Sequence, residues 1–181
     1  IGTLVVHLPL LLEARGVPAS ARGSAFGVYA LVALVLFARP APWLIDRFGR
    51  LRTLSVGLGL IGVSLVSLAL ATGTGEVYGS MALFGCGFGL LFPAATAYLA
   101  DQTAPGERGV AYGVFYAAYS LGVVVGEVGS GQLAQTLGAT TVAPFWAFGM
   151  VALAVAAWVA VLAVRPVATR SVGGTMAGGP A

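Results

Sequence analysis

Lysine is absent from this 181-residue sequence: all nine basic residues are Arg, against six acidic ones, and charged residues make up only 8% of the chain. The net charge of +3 is spread over several short loops, so the chain lacks the electrostatic footprint of a nucleic-acid-binding domain. Cysteine is nearly absent too. Cys86 stands alone in an apolar run between Gly85 and Gly87, with no second thiol to pair and no His/Cys cluster to hold a metal. No cofactor is expected. The sequence also lacks an initiating Met and a basic leader; it opens with the apolar stretch Ile1 to Leu12, which reads as a truncated start. What is present is hydrocarbon. Hydrophobic residues are 59% of the chain and mean hydropathy is +0.96, outside the usual range of a water-soluble domain.

A bilayer core of about 30 Å needs roughly twenty apolar residues in a helix. Five segments reach that length: Gly23 to Ile45, Thr53 to Ala71, Val77 to Ala100, Gly109 to Leu133 and Val142 to Val164. The opening run, at about 18 Å, is expected to be the outer part of a first span with about eight residues missing upstream, so that the five segments are the second to sixth spans. The expected fold is an all-α membrane protein, a six-transmembrane-helix bundle over residues 1–164, followed by a disordered cytoplasmic tail over 165–181. Arg47, Arg50, Arg52, Arg108, Arg165 and Arg170 lie on one side, against Arg15 and Arg22 on the other. That asymmetry predicts that the richer side, including both chain ends, is cytoplasmic.

Two motifs compete for attention. Gly57-Leu58-Gly59-Leu60-Ile61-Gly62 fits the dinucleotide fingerprint, with Glu76 near the distance of a ribose-binding acid. A genuine fingerprint follows a strand and opens a helix in water. This one lies within an unbroken apolar span, where glycines let helices approach closely.

More informative is the stretch Arg39-Pro40-Ala41-Pro42-Trp43-Leu44-Ile45-Asp46-Arg47-Phe48-Gly49-Arg50-Leu51-Arg52 between the second and third spans. Gly49 permits a tight turn and the arginines hold the loop in the cytoplasm. A loop that merely stops and turns the chain is the plainer reading. The stretch resembles the major facilitator superfamily, whose pattern G-x-x-x-D-R-x-G-R-x-R joins its second and third helices and recurs more loosely between the eighth and ninth. Asp46, Arg47, Gly49, Arg50 and Arg52 match, while Pro42 replaces the first glycine, which favours the looser copy. Val28 to Leu31 leading to Arg39-Pro40 is similar to the eighth helix, Gly85 to Gly89 through Pro93 to the tenth, and Asp101 to Arg108 to the entry of the eleventh. The resemblance implies a C-terminal six-helix half, one half of a twelve-helix fold, with the N-terminal six helices absent. It further implies a gating loop of Arg39, Asp46, Arg47, Gly49, Arg50 and Arg52, in which Asp46 meets the positive end of a helix in the other half.

Within the fifth span, Gly113, Gly122, Gly126 and Gly131 reproduce the spacing of G-x8-G-x3-G-P-x2-G-G, which in drug:proton antiporters marks the fifth helix. Here Glu127 replaces the proline and Ser130 one glycine. At 100° per residue Gly122 and Gly126 fall on a packing side, whereas Tyr116, Ser120 and Glu127 fall on a polar one that is either structural or cavity-lining. In the fourth span Phe84, Phe88 and Phe92 form an aromatic stripe beside Gly85, Gly89 and Pro93. The stripe is either a packing surface or, as the family's tenth helix implies, part of a solute cavity. Pro93 is a candidate kink. Glu127 and His7 are the strongly titratable groups deep within spans, each six residues before a presumed outer end, and are expected either to form a protonatable pair or to play separate structural parts.

Together these readings predict transport of a small organic solute, of drug or sugar efflux type, by alternating access with proton coupling. The expected partners are the lipid bilayer, the N-terminal half, a small-molecule substrate and the proton, in a bacterial inner membrane. A membrane-embedded enzyme would need a convergent nucleophile, base or metal set. A scaffold would leave the loop motif without a role.

Overall fold

The computed structural model describes residues 1–138 and 140–164. The expected tail at 165–181, with its arginines, lies outside the described residues. Within them every regular element is an α-helix: α1 Gly2–Ala14, α2 Ala19–Ala38, α3 Pro40–Phe48, α4 Arg50–Leu70, α5 Thr74–Gln102, α6 Arg108–Leu137 and α7 Ala143–Val164. Five of them, α2 and α4 to α7, are long and apolar enough to cross a bilayer, and α1 is a shorter apolar helix.

The second predicted span requires correction, because Gly23 to Ile45 is not one helix. It breaks at Arg39, whose φ/ψ of −151°/−42° leaves the helical region, and α3 begins at Pro40. The proline ring disfavours helix at the preceding residue, yet suits the first turn of a new one. At the other end of α3, Gly49 adopts φ +89°, a value open to glycine, and α4 starts at once. Spans ended at the first polar residues were also drawn too short. α5 and α6 have 29 and 30 residues, about 45 Å at 1.5 Å per residue, so they outreach the hydrocarbon or tilt within it.

Glycine decides how these helices meet. A Cβ on Gly57 of α4 would lie 2.7 Å from the Leu91 nitrogen and 2.9 Å from the Gly87 oxygen, and one on Gly87 of α5 would lie 2.8 Å from the Gly57 oxygen. The two backbones touch there. Gly62 and Gly149 perform the same service between α4 and α7, and Gly85 and Gly89 seat α5 on Tyr29, Val32 and Leu36 of α2. The result is a row α2–α5–α4–α7, with α1 and α6 packed on each other and touching the row more lightly.

Burial is uneven along the bundle. Leu4, Leu8 and Leu11 of α1, Leu68 of α4, Met81 and Phe84 of α5 and Phe145 of α7 form the core, all at the end opposite the arginine-rich α3–α4 turn. Loops tie the same end: Arg15 donates to the Ala71 carbonyl at 2.7 Å, Arg22 pairs with Glu13 at 2.6 Å, and Glu76 accepts from the Thr72 N–H at 2.6 Å. In α5 the last buried residue is Ala94, immediately after Pro93.

Candidate solute path and gating turn

The arginine-rich turn is built by α3, the α3–α4 corner and the end of α5. Asp46 sits exposed on the last turn of α3, with no cationic partner within salt-bridge distance among the described residues. Arg47 lies over the Trp43 ring at 5.4 Å and the Phe48 ring at 5.8 Å, a cation–π arrangement. Arg50 Nε reaches Asp101 Oδ2 at 2.7 Å and so ties the turn to α5. Thr53 donates to the Gly49 carbonyl at 3.0 Å, fastening the corner. Arg39 is exposed at the α2–α3 break and Arg52 is exposed on the first turn of α4. Asp101 as the partner of Arg50 was missed by sequence reasoning; its signal was an acid at the end of a span that returns to the arginine-rich side.

Deeper in the bundle, aromatic rings from three helices form a continuous array. Tyr29 of α2 stands 5.5 Å from Phe84 and 5.9 Å from Phe88, while Phe88 lies 5.5 Å from Phe92. Phe92 then meets Phe115, Tyr116 and Tyr119 of α6 at 5.9, 6.1 and 5.9 Å. Phe37 of α2 closes the group at 6.1 Å from Phe88. Phe84 departs from its expected cavity role. It is 0% exposed and fills the core, whereas Phe88 and Phe92 of the same stripe are half-buried. Tyr29, Phe37, Phe115 and Tyr119 were not singled out from the sequence. The spacing of Tyr112, Phe115, Tyr116 and Tyr119 at three and four residues would have revealed the α6 members.

The polar and glycine faces of α6 part company. Tyr116 and Ser120 are exposed. Gly126 packs against Gly2 and Thr3, with Thr3 donating to the Gly126 carbonyl at 3.4 Å, but a Cβ on Gly122 would meet nothing within 4 Å. Among the described residues Gly122 therefore packs against no neighbouring helix, and α6 has only Gly126, Ser130 and Ala134 buried.

His7 and Glu127 lie on neighbouring helices but are not brought together. A Cβ on Gly2 would lie 2.8 Å from the Glu127 nitrogen, so Glu127 is level with the start of α1. His7 is five residues further on, about 7.5 Å along the axis. Its Nε2 is 2.5 Å from the Thr141 carbonyl, and its ring stands edge-on to Phe145 at 5.2 Å. Counting depth from Leu133 misplaced the pair, since α6 continues to Leu137. Among the described residues no group of three or more His, Cys, Asp or Glu side chains is close enough to hold a metal ion.

A family model of the Major Facilitator Superfamily matches residues 1–179. The chain belongs to the major facilitator superfamily. It is therefore an integral membrane protein of that transporter family, and its all-α bundle is half of the superfamily fold. Multidrug resistance protein 2 of Bacillus subtilis is 31% identical over 134 residues, covering 74% of this chain and 33% of the relative. Puromycin resistance protein pur8 of Streptomyces alboniger is 35% identical over 143 residues, covering 75% and 27%. The matched region thus spans about a third of the length of these superfamily relatives.

Proposed function

We propose that this chain is the C-terminal six-helix half of a drug-efflux carrier that works by alternating access and is driven by protons. The observation that carries the reading is the aromatic array. Phe88 and Phe92 of α5, facing Tyr116 and Tyr119 of α6 and Phe37 of α2, offer rings and phenolic hydroxyls with no fixed charge among them. Such a surface holds flat, largely apolar organic solutes by stacking and attracts organic cations through ring faces. A sugar, which needs many hydrogen-bonding partners, fits it less well. Two relatives are called multidrug and puromycin resistance proteins, which supports a drug substrate class.

In this reading the six helices of residues 1–164 pair with an N-terminal half, and the arginine-rich turn lies in the cytoplasm of a bacterial cell. Asp46, unpaired among the described residues, is placed to meet a helix N-terminus of the other half and hold the cytoplasmic side closed. Glu127 is the candidate proton carrier, with His7 at the same outer end but held by Thr141.

Expression of the full-length gene in a drug-sensitive bacterial host tests the proposal. Efflux should lower puromycin and lipophilic dye accumulation, and collapse of the proton gradient should abolish the difference. Undiminished accumulation of every compound would favour a scaffold. Efflux that survives loss of the gradient would remove proton coupling alone.

A further inference from the structure

The groove between α4 and α7 at the arginine-rich end holds a pocket of about 520 Å³ that shares no lining residue with the aromatic array. Its walls are Leu44 and Phe48 of α3, Val56 of α4, Leu90 of α5 and Ala160 of α7, with Arg52 among its lining residues. Thr53 and Ser55 also line it, but their hydroxyls already donate to the Gly49 and Ala156 carbonyls at 3.0 and 2.8 Å. Among the described residues the pocket therefore offers hydrocarbon and one guanidinium. At 100° per residue Leu90 points about 160° away from the middle of the Phe84–Phe88–Phe92 stripe. The pocket lies on the opposite side of α5 from the proposed solute path, and its lining residues Val56 and Val164 are exposed.

The arginines of the turn are not equivalent. Arg47 is stacked on Trp43 and Phe48, and Arg50 is paired with Asp101. Arg52 has neither an acid nor a ring partner among the described residues, although it borders an apolar pocket whose every other polar group is satisfied. A cation at the mouth of a hydrocarbon-lined hole, at the end of a membrane bundle, is complementary to a molecule with an anionic head and an apolar tail.

We propose that this pocket is a binding site for an anionic phospholipid, with one acyl chain between α4 and α7 and the phosphate on Arg52. The volume falls within the roughly 300–1,000 Å³ typical of small-molecule pockets. Basic pockets between membrane helices are suited to anionic head groups, because the attraction is strongest beside the surface charge of the leaflet. Leu44 and Phe48 belong to the helix that carries Asp46, so an occupied pocket braces the gating turn from its lipid side. The site does not depend on what solute the carrier moves.

Native mass spectrometry of the purified full-length protein, with dioleoyl phosphatidylglycerol and dioleoyl phosphatidylcholine as probes, tests it. Phosphatidylglycerol should be retained in preference, and Arg52→Gln should lower its retention about fivefold, the effect expected of one surface arginine on an anionic lipid. Arg52→Lys should keep most of the preference. Ala160→Trp, at an exposed position, should fill the pocket and lower retention of both lipids, with thermal unfolding checking that each variant is folded. Excess inorganic phosphate should not displace the lipid. The site is overturned by equal retention of the two lipids, by unchanged phosphatidylglycerol retention in Arg52→Gln or Ala160→Trp, or by displacement with phosphate alone.

Discussion

Asp46 and Glu127 are acids without a side-chain partner among the described residues, and each makes its own prediction. Asp46 is exposed and unpaired within the described residues. Asp46→Asn should therefore leave folding and membrane expression of the full-length protein intact, because no ion pair among the described residues depends on the charge. Transport should fall sharply, since a contact worth ~1 kcal/mol with a helix terminus is enough to bias two conformations. Expression together with solute flux measures both, and unaltered flux would remove Asp46 from the gate. Glu127 is half-buried against the start of α1. Glu127→Gln keeps its shape and most of its hydrogen bonds but cannot titrate. It should retain substrate binding and lose proton-driven accumulation across vesicles; full active transport in that variant would rule the proton role out. His7 was legible as a buried titratable residue. Its bond to Thr141 was not, because the partner is a backbone carbonyl 134 residues away, and no side-chain pattern advertises it.

Among the elements, α5 carries most of the structural information. Gly87 is in backbone contact with Gly57 of α4, so Gly57→Val forces two helices apart and should destabilise the protein by about 1–3 kcal/mol. Detergent melting of the variant against Gly59→Val checks this, because Gly59 meets nothing within 4 Å and should tolerate the change. Equal stability of the two would show that the crossing does not matter. Pro93 predicts a different outcome. Pro93→Ala restores an N–H to the Gly89 carbonyl, so stability should hold or rise while transport slows, if the two halves of α5 move independently. Unchanged flux would make the proline incidental. The existence and order of the long helices were legible in their apolar length alone. The α2–α3 break was written in Arg39-Pro40, yet it was overridden by the hydropathy of the residues that follow. The aromatic array was half legible: the α5 stripe shows in its own periodicity, but the rings of α2 and α6 join it only through helix packing, which a single sequence does not encode locally.

For the whole molecule, the arginine asymmetry predicts which end faces the cytoplasm. In a full-length protein with Cys86 replaced, a cysteine at Gln102 should react with an impermeant reagent only from the cytoplasm, and one at Thr74 only from outside. The reverse pattern would invert the assignment of the gating turn. The concentration of Leu4, Leu8, Met81, Phe84 and Phe145 at one end, together with the absence of buried residues in α5 beyond Ala94, has a mechanical consequence. A bundle clamped by rings and leucines at one end, and held at the other chiefly by the short α3 through Ala41 and Ile45, behaves as a cantilever. Slight angular play among the tightly packed rings and leucines becomes a progressively larger swing toward Asp101, where Arg50 is the last restraint on α5. Distances between spin labels on α5 and α2 should therefore broaden steadily with each turn from Met81 to Gln102, the swing growing as the grip of the large side chains is left behind.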